Sequence, residues 1–213
     1  MAASVERGTR ERILEVAEAF LGERGYDGTR LHLIAQRVGI QKASLFHYFP
    51  SKEHLYRAVL EEGFGETQQT LRRVLESEGT PFEKVRALIA SYVDMVAAHP
   101  ERTKILLRQS LGDAPDSEPH PDSQPQHLLE MVVRFIADGQ RAHVFAEIDP
   151  AAVVLSVVAM VAFFFTSAPV LAPKWCGEPL SKESVDRVKQ YVVEVVQRCL
   201  VIRPAPASAA QSA

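Results

Sequence analysis

A short stretch near the N-terminus, from Val38 to Tyr56, concentrates side chains that can bind a nucleic acid. Its sequence is VGIQKASLFHYFPSKEHLY, in which cations, aromatic rings and hydrogen-bond donors occur together. A lysine can donate to guanine O6 and N7, a histidine or tyrosine can donate to phosphate oxygens, and small or aromatic side chains contact thymine methyl groups. The stretch therefore predicts a DNA-binding surface. The alternative is a set of ordinary core aromatics beside a solvated charged face.

The residues from Lys42 to Phe49 are predicted to form a short helix with two different sides. At about 100° per residue, Leu45 and Phe49 fall on one side, and Ala43 and His47 fall on the other. The apolar pair should hold the helix in the core and leave the other side free to enter a DNA groove. The candidate contacts on this helix are Lys42, Ala43, Ser44, Phe46, His47 and Tyr48.

A further contact is expected from Lys52, in the first turn of the helix that Ser51 should cap. Unpaired backbone N–H groups and the helix dipole favour an anion at such a position. The local charge agrees, because the segment from Arg30 to Arg57 holds five basic residues, one acid and three histidines. The whole chain, by contrast, has a net charge of -3. The sequence thus predicts a local site for a polyanion on an otherwise mildly acidic protein.

Helical patterns cover nearly the whole chain and predict an all-α fold of about nine helices. Thr9 is a candidate cap for the first helix, which Gly25 should end. Thr29 should cap a second, short helix ending at Gly39, where a left-handed conformation is tolerated. Pro50 should end the third. Three short helices with a tight turn before the third are the arrangement of a helix-turn-helix, in which the later helix of the pair lies in the major groove.

The residues TRLHLIAQRVGIQKASLFHYFPSKEHLY resemble the DNA-binding signature of the tetracycline-repressor (TetR) family of bacterial regulators. The shared pattern is a Thr before a helix containing Ile-Ala, then Gly-Val/Ile, Leu-Tyr-x-Tyr-Phe and Lys-Glu-x-Leu. The resemblance implies that Lys52 is a phosphate-contacting lysine, and it adds Thr29 and Gln41 to the DNA-binding residues. The recognition-helix positions that it implies are Ala43, Ser44, Phe46, His47 and Tyr48. Phe46 replaces a common Tyr and Gln41 a common capping Ser, so altered DNA contacts are expected.

The predicted organisation has three parts. Residues 1–58 form the helix-turn-helix DNA-binding domain, residues 59–203 a helical ligand-binding and dimerisation domain, and residues 204–213 a disordered tail. Gly63 and Gly65 lie inside the fourth helix, where either another helix packs closely or the chain has a soft joint. The segment from Gly112 to Gln126 is rich in proline and acids and is expected to be an exposed connector.

The segment from Ala151 to Ala172 is uncharged and has about the length that crosses a bilayer. Pro169 and Pro173 break its far end, Asp149-Pro150 opens it like a soluble helix, and no basic cluster flanks it. We therefore expect a buried helix, with a membrane span as the alternative.

A homodimer is also expected, because a palindrome has two half-sites and each needs one DNA-binding domain. The two copies should pair through this helix and the one from Ser181 to Ile202. The alternative is that both helices belong to the core of a single chain.

Methionine, phenylalanine and histidine side chains between the two ends of the chain can line an apolar cavity. The candidates are Met95, His99, Met131, Phe135, Met160, Phe163 and Phe164. The family resemblance implies a small-molecule inducer here. The favoured function is a dimeric repressor of a palindromic operator in double-stranded DNA, released by a small hydrophobic molecule. The alternatives are a DNA-binding regulator without such a ligand and a single-span membrane-associated sensor.

Other classes of function are not favoured. Cys176 and Cys199 are too few for a disulfide framework and have no histidines at metal-ligand spacing, so neither a metal nor a cofactor is expected. An enzyme would need a convergent acid, base or nucleophile, and the nearest pair, His143 and Glu147, is predicted to be part of a helix surface. The N-terminal segment carries acids and no apolar run, so it is not a signal peptide and a cytoplasmic protein is expected.

Overall fold

The computed structural model describes residues 2–115, 124–171 and 178–201, and these residues contain helices and no strand. The predicted all-α fold is confirmed. The helices of the described ranges are α1 (Ala2–Gly28), α2 (Leu31–Val38), α3 (Lys42–Tyr48), α4 (Lys52–Glu76), α5 (Pro81–Ala98), α6 (Pro100–Ser110), α7 (Gln124–Arg141), α8 (Pro150–Leu171) and α9 (Lys182–Leu200). The predicted tail at 204–213 and most of the predicted connector lie outside the described residues.

Helix α1 begins earlier than predicted, and its helical geometry breaks where its end was predicted. It begins at Ala2 and not at Thr9, since no proline precedes Thr9 and alanine is the strongest helix former. Gly25 has φ 71° and ψ -179° and interrupts the helical geometry, so that residues 26–28 follow the main part of α1 across a kink. The hydroxyl of Thr29 stabilises the interruption, because it donates to the carbonyl oxygens of Gly25, at 2.7 Å, and Phe20, at 3.1 Å.

The prediction that Thr29 caps α2 is therefore wrong. Its hydroxyl is used within the end of α1, and the N-cap residue of α2 is Arg30, whose side chain makes no capping hydrogen bond. The other end of α2 is as predicted. Gly39 is left-handed, with φ 85°, and its N–H donates to the carbonyl oxygens of Ala35 and Gln36. This turn fixes the angle at which the chain enters α3.

The starts of α4 and α5 are set by side-chain caps. Ser51 Oγ accepts a hydrogen bond from the N–H of His54 at 3.1 Å, as the sequence predicts. Thr80 and Glu83 form a reciprocal capping box at the start of α5, with Pro81 in the first turn. These caps satisfy N–H groups that a helix leaves without partners, and they define where the long α4 and α5 begin.

The described buried apolar side chains form three clusters. The first unites α1 to α4 and also includes Ile105 of α6. The second fills the space between α5, α7, α8 and α9, around Val93 and Val161. The third, around Phe64 and Leu88, joins α4 to α5 and α7. Helices α4 and α6 therefore connect the N-terminal head, defined here as α1 to α3 with the start of α4, to the rest of the protein.

The two glycines of α4 differ in their surroundings. A Cβ atom at Gly63 would lie 2.5 Å from Cδ of Arg102 in α6, so this glycine permits the close helix packing that the sequence suggested. A Cβ atom at Gly65 would meet nothing within 4 Å. The helix runs unbroken through both residues, and only Gly63 has a packing reason.

The prediction of a buried apolar helix holds for one side of α8 only. The helix packs on α5, α6, α7 and α9, and Val161 on that side is fully buried. The opposite side carries Leu155, Phe163 and Val170, which are 55%, 58% and 79% exposed. In the described part of the chain, α8 is also the helix that is long and apolar enough to cross a membrane, a test that core helices of soluble proteins pass as well.

The prediction that His143 and Glu147 share a helix surface is wrong. Helix α7 ends before them, and His143 has a left-handed backbone, with φ 56°, in the turn that leads to α8. The amide of Gln140 organises this turn, since its Nε2 donates to the carbonyl oxygens of Ala146 at 2.9 Å and Ile148 at 2.6 Å. The turn returns the chain to the core.

The same turn generates a prediction about packing. Phe145 lies on Gly139, and its ring makes edge contacts with Phe82 and Phe135 at centroid distances of 5.2 and 5.9 Å. A Cβ atom at Gly139 would overlap that ring, so Gly139→Ala should lower the free energy of unfolding by about 1–3 kcal/mol. The control, Gly65→Ala, should raise it by about 0.5–1 kcal/mol. Urea unfolding measures both, and equal changes would contradict this packing.

Candidate functional site

Helix α3 has the two sides that its sequence predicts. Leu45 is fully buried and Phe49, just after the helix, is 4% exposed, and both belong to the apolar cluster of the head. The opposite side is in solvent, with Phe46 at 39% exposure. The other exposed residues of this side are Lys42, Ala43, Ser44 and His47, and Tyr48 is half-buried. The helix is thus held by two apolar residues and leaves a polar and aromatic face free.

The side chains on this face contact one another. Lys42 Nζ lies 5.6 Å from the centroid of the Phe46 ring, which is a cation–π distance. The rings of His47 and Tyr48 meet edge to face at 5.9 Å. A cation, an aromatic ring and hydrogen-bond donors therefore form one continuous surface, which we call the α3 face (Lys42 to Tyr48 without Leu45).

Lys52 lies at the start of α4, but its ammonium group is directed to the end of α1. Nζ is 4.3 Å from the centroid of the Tyr26 ring and donates to the carbonyl oxygen of Asp27 at 3.4 Å. Burial lowers the pKa of Lys52, and the carboxylates of Asp27 and Asp113 oppose that shift. A phosphate would compete with these contacts. Gln41 is exposed just before α3, and its side chain makes no capping hydrogen bond.

Thr29 does not lie on the outer surface, contrary to its predicted place among the DNA-binding residues. The residue is 2% exposed, and its hydroxyl is bonded to two carbonyl oxygens of α1. Its role is to hold the end of α1, and so to position α2 and α3 indirectly.

A cavity of about 670 Å³ lies between α4, α5, α6, α7, α8 and α9. Sites for small molecules usually occupy about 300–1,000 Å³. Most of its lining side chains are apolar, including Leu88, Val132 and Val157. The space suits a small molecule with a large apolar surface.

The structure places three of the seven predicted lining residues at this cavity, namely Met95, His99 and Phe135. The other four are not among its lining residues. Met131 packs against the third apolar cluster, and Met160 and Phe164 pack against the second. Phe163 is 58% exposed on the outside of α8. The difference on α8 has a simple cause, since a helix that is apolar all round gives no sign of which side faces inward.

A charged group that the sequence did not single out lines the same cavity. Arg102 is 8% exposed, and its Nε and Nη2 donate to Glu18 Oε2 of α1 at 3.2 and 2.9 Å. His99 Nδ1 lies 3.5 Å from the other oxygen of Glu18. Burial raises the pKa of Tyr92, another lining residue, to about 12. The cavity therefore has a polar end next to the head.

The sequence held one signal for Arg102. It lies three and four residues before Ile105 and Leu106, so all three share one face of α6. A charge on an apolar helix face requires a partner or a function. The partner, Glu18 in α1, is far away in sequence, and nothing local indicates it.

Two family descriptions match this chain. Residues 13–59 match "Bacterial regulatory proteins, tetR family", and residues 81–196 match "Tetracyclin repressor-like, C-terminal domain". The second match alone spans more than half of the chain. The protein belongs to the TetR family.

Relatives within the TetR family are regulators of transcription. The chain is 24% identical over 192 residues to the HTH-type transcriptional regulator RutR of Escherichia coli, covering 88% of this chain and 90% of RutR. It is 23% identical over 140 residues to the HTH-type transcriptional repressor KstR of Mycolicibacterium smegmatis, covering 66% of this chain and 69% of KstR. The predicted family and the prediction of a transcriptional regulator are confirmed.

A solved structure shows the same fold. The crystal structure of AibR in complex with isovaleryl coenzyme A and operator DNA matches with a TM-score of 0.71 and 21% sequence identity. The match covers 88% of this chain and 97% of AibR. The fold of this TetR-family chain is therefore one already known from a solved structure.

Neighbouring residues on opposite sides of α3 provide a test of how the helix is held. Leu45→Ala removes a fully buried side chain and should lower the free energy of unfolding by about 2–5 kcal/mol. Phe46→Ala acts on a solvent-exposed ring, and its effect should stay within about 1 kcal/mol. Chemical denaturation of the two variants checks the difference. Similar losses in both would show that α3 does not use Leu45 as its main contact with the core.

Proposed function

We propose that this TetR-family protein is a dimeric repressor, which binds a palindromic operator and releases it when a small apolar molecule occupies the cavity. The observation that carries the proposal is the two-sided α3, in which Leu45 is buried while Phe46 and His47 are exposed. A helix of this kind can enter the major groove without leaving the core. Membership of the TetR family supports the same function.

Each group on the α3 face has a proposed contact. Lys42 donates to guanine or phosphate, Ala43 and Phe46 contact thymine methyl groups or sugars, and His47 donates to phosphate. The remaining proposed contacts are Gln41, Ser44, Tyr48 and Lys52. Lys52 acts on phosphate after its ammonium leaves the carbonyl oxygen of Asp27.

We infer that two copies pair through α8 and α9. Leu155 and Phe163 of α8 and Tyr191 of α9 are more than half exposed in the single chain, and pairing would remove their apolar surface from water. Two α3 helices would then lie about 34 Å apart, or a multiple of it, to match the half-sites of a palindrome. One head alone contacts too little DNA for tight binding.

The cavity is the proposed inducer site. Its volume and apolar lining fit a small hydrophobic molecule, and AibR, a protein of the same fold, is known with both isovaleryl coenzyme A and operator DNA. A ligand that prefers one arrangement of the two heads shifts the population toward it by its difference in affinity. On this proposal the ligand-bound arrangement binds the operator less tightly.

The proposed domains meet inside a helix. The boundary between residues 1–58 and residues 59–203 falls within α4, which is continuous from Lys52 to Glu76. We further propose that the protein has no enzymatic activity and is cytoplasmic, as suits a regulator of transcription. A single-span membrane sensor is less favoured, because α8 packs against four other helices.

The experiment that tests the proposal starts from the DNA beside the protein's own coding region. Footprinting should reveal a protected palindrome, and a library of small apolar compounds should contain at least one that abolishes protection. Protection that no compound relieves would favour a regulator without a small-molecule ligand. If no DNA is protected or bound, the proposed function is wrong.

Two substitutions on the DNA side should weaken operator binding differently. His47→Ala should cost about 0.5–1.5 kcal/mol of binding free energy through a lost hydrogen bond. Lys52→Ala should weaken binding to all DNA sequences alike and reduce the salt dependence by about one counterion. Fluorescence anisotropy at several salt concentrations measures both.

Arg72→Ala serves as the control for charge. Arg72 is exposed on α4, about 30 Å along the helix from Lys52, and its loss should leave operator binding unchanged. Normal operator affinity in His47→Ala would remove that residue from the interface. An effect of Lys52→Ala on one operator alone would make Lys52 a base contact.

The dimer is tested by placing a charge on its proposed surface. Phe163→Glu should yield a monomer in light scattering, because a carboxylate would be buried without a partner. It should also lose operator binding. Leu111→Glu alters a residue that is 85% exposed after α6 and should remain dimeric. A wild-type protein that is monomeric at micromolar concentration, or that requires detergent to dissolve, would contradict pairing through α8 and α9.

A further inference from the structure

Arg102 occupies the point where three parts of the protein meet. It lies in the first turns of α6, lines the cavity, and is 8% exposed. Gly63 of α4 makes room for its side chain, since a Cβ atom there would overlap the guanidinium group. The preceding residue, Glu101, is packed against Gly22 of α1 in the same way, with 2.7 Å between its Cβ and a Cβ built at that glycine. The start of α6 is therefore fixed between α1 and α4.

The guanidinium group is only partly used. Two of its nitrogens, Nε and Nη2, donate to Glu18 in α1. The third nitrogen, Nη1, is buried and has no hydrogen-bond partner. Glu66, whose side chain is 68% exposed, forms an ion pair with Nη1 at 3.7 Å, a distance too long for a hydrogen bond. Arg102 thus has N–H groups without a hydrogen-bond acceptor at the polar end of an apolar cavity.

A buried donor without an acceptor is unfavourable, and more so when it carries charge. A ligand that supplies an anionic acceptor at Nη1 would remove this cost. A carboxylate is well matched to a guanidinium group, because two parallel N–H···O bonds can form. The rest of the cavity accepts an apolar body.

We propose that the cavity binds an amphipathic carboxylate, with its apolar body among α5, α7 and α8 and its acid group on Arg102. This inference deepens the proposed function and rests on it. The ligand's carboxylate competes with Glu18 for the same guanidinium and repels it. Binding therefore weakens the contact between α6 and α1, and the head is released from the position in which it binds DNA.

His99 is affected by the same competition. It lines the cavity, and its Nδ1 lies 3.5 Å from Glu18 Oε1. An acid group on Arg102 would approach His99 from the cavity while Glu18 faces it from α1. Arg102 and His99 thus both line the cavity, and both lie against Glu18 of the head.

The first experiment compares probes that differ in their charged group, decanoate with decyl alcohol and phenylbutyrate with phenylbutanol. In calorimetric titrations of the wild-type protein, at least one acid should bind about tenfold or more tightly than its alcohol. Arg102→Met should bind the alcohols as wild type does and lose the preference for acids. Arg102→Lys, which keeps the charge, should retain part of it.

Three results of the titrations would overturn the proposal. They are failure of both acids to bind, equal affinity for acids and alcohols, and a preference for acids that survives in Arg102→Met. Release of the operator by the alcohols as effectively as by the acids would leave the proposed function standing and would remove this inference. Absence of any operator binding would refute the proposed function, whereas the titrations would still report on Arg102.

The second experiment measures the link between the acid and the DNA. The acid that binds in the first experiment, decanoate or phenylbutyrate, should lower operator affinity about fivefold or more in the wild-type protein. In Glu18→Gln this factor should fall toward one, while the acid itself binds more tightly because its competitor is gone. Glu62→Gln is the matched control, since Glu62 pairs with Arg10 of α1 at 3.1 Å on the surface. An unchanged response in Glu18→Gln would overturn the proposed coupling.

Discussion

The packing of α6 on α1 is the constraint on which the other features depend. Ile105 of α6 is 2% exposed and belongs to the apolar cluster that also holds Leu45 of α3. On its other side, α6 borders the cavity through Arg102 and Leu106. On the side of the head, Glu101 of α6 packs against Gly22 of α1 without spare volume, so a shift of α6 must also move α1. The element that holds the DNA-binding helix is thus also a wall of the proposed ligand site.

Features governed by local rules could be predicted from the sequence. The two sides of α3 follow from the spacing of Leu45 and Phe49, the left-handed turn follows from Gly39, and the start of α4 follows from Ser51. Each depends on residues within one or two helical turns, where periodicity, backbone preference and capping decide the outcome. The TetR-family signature covers the same segment and predicts the same arrangement as the local residue pattern.

Features decided by distant parts of the chain could not be predicted. Thr29 has the sequence position of a helix cap, but the end of α1 takes its hydroxyl. Phe163 has the composition of a cavity residue, but α8 is apolar on all sides and its neighbours alone decide which side is covered. Arg102 finds its partner in Glu18, in a helix many residues earlier. In each case tertiary contacts determine the role, and local sequence carries little information about them.

The continuity of α4 has a mechanical consequence. With 25 residues, this helix is a rod of about 37 Å that joins the head to the cavity. A tilt of about 5° at the cavity end would displace the other end by about 3 Å, comparable to the spacing of successive base pairs along B-DNA. In a symmetric pair the two displacements would combine. A rearrangement at the ligand too small to disturb the core would therefore suffice to misalign the two recognition helices with their half-sites.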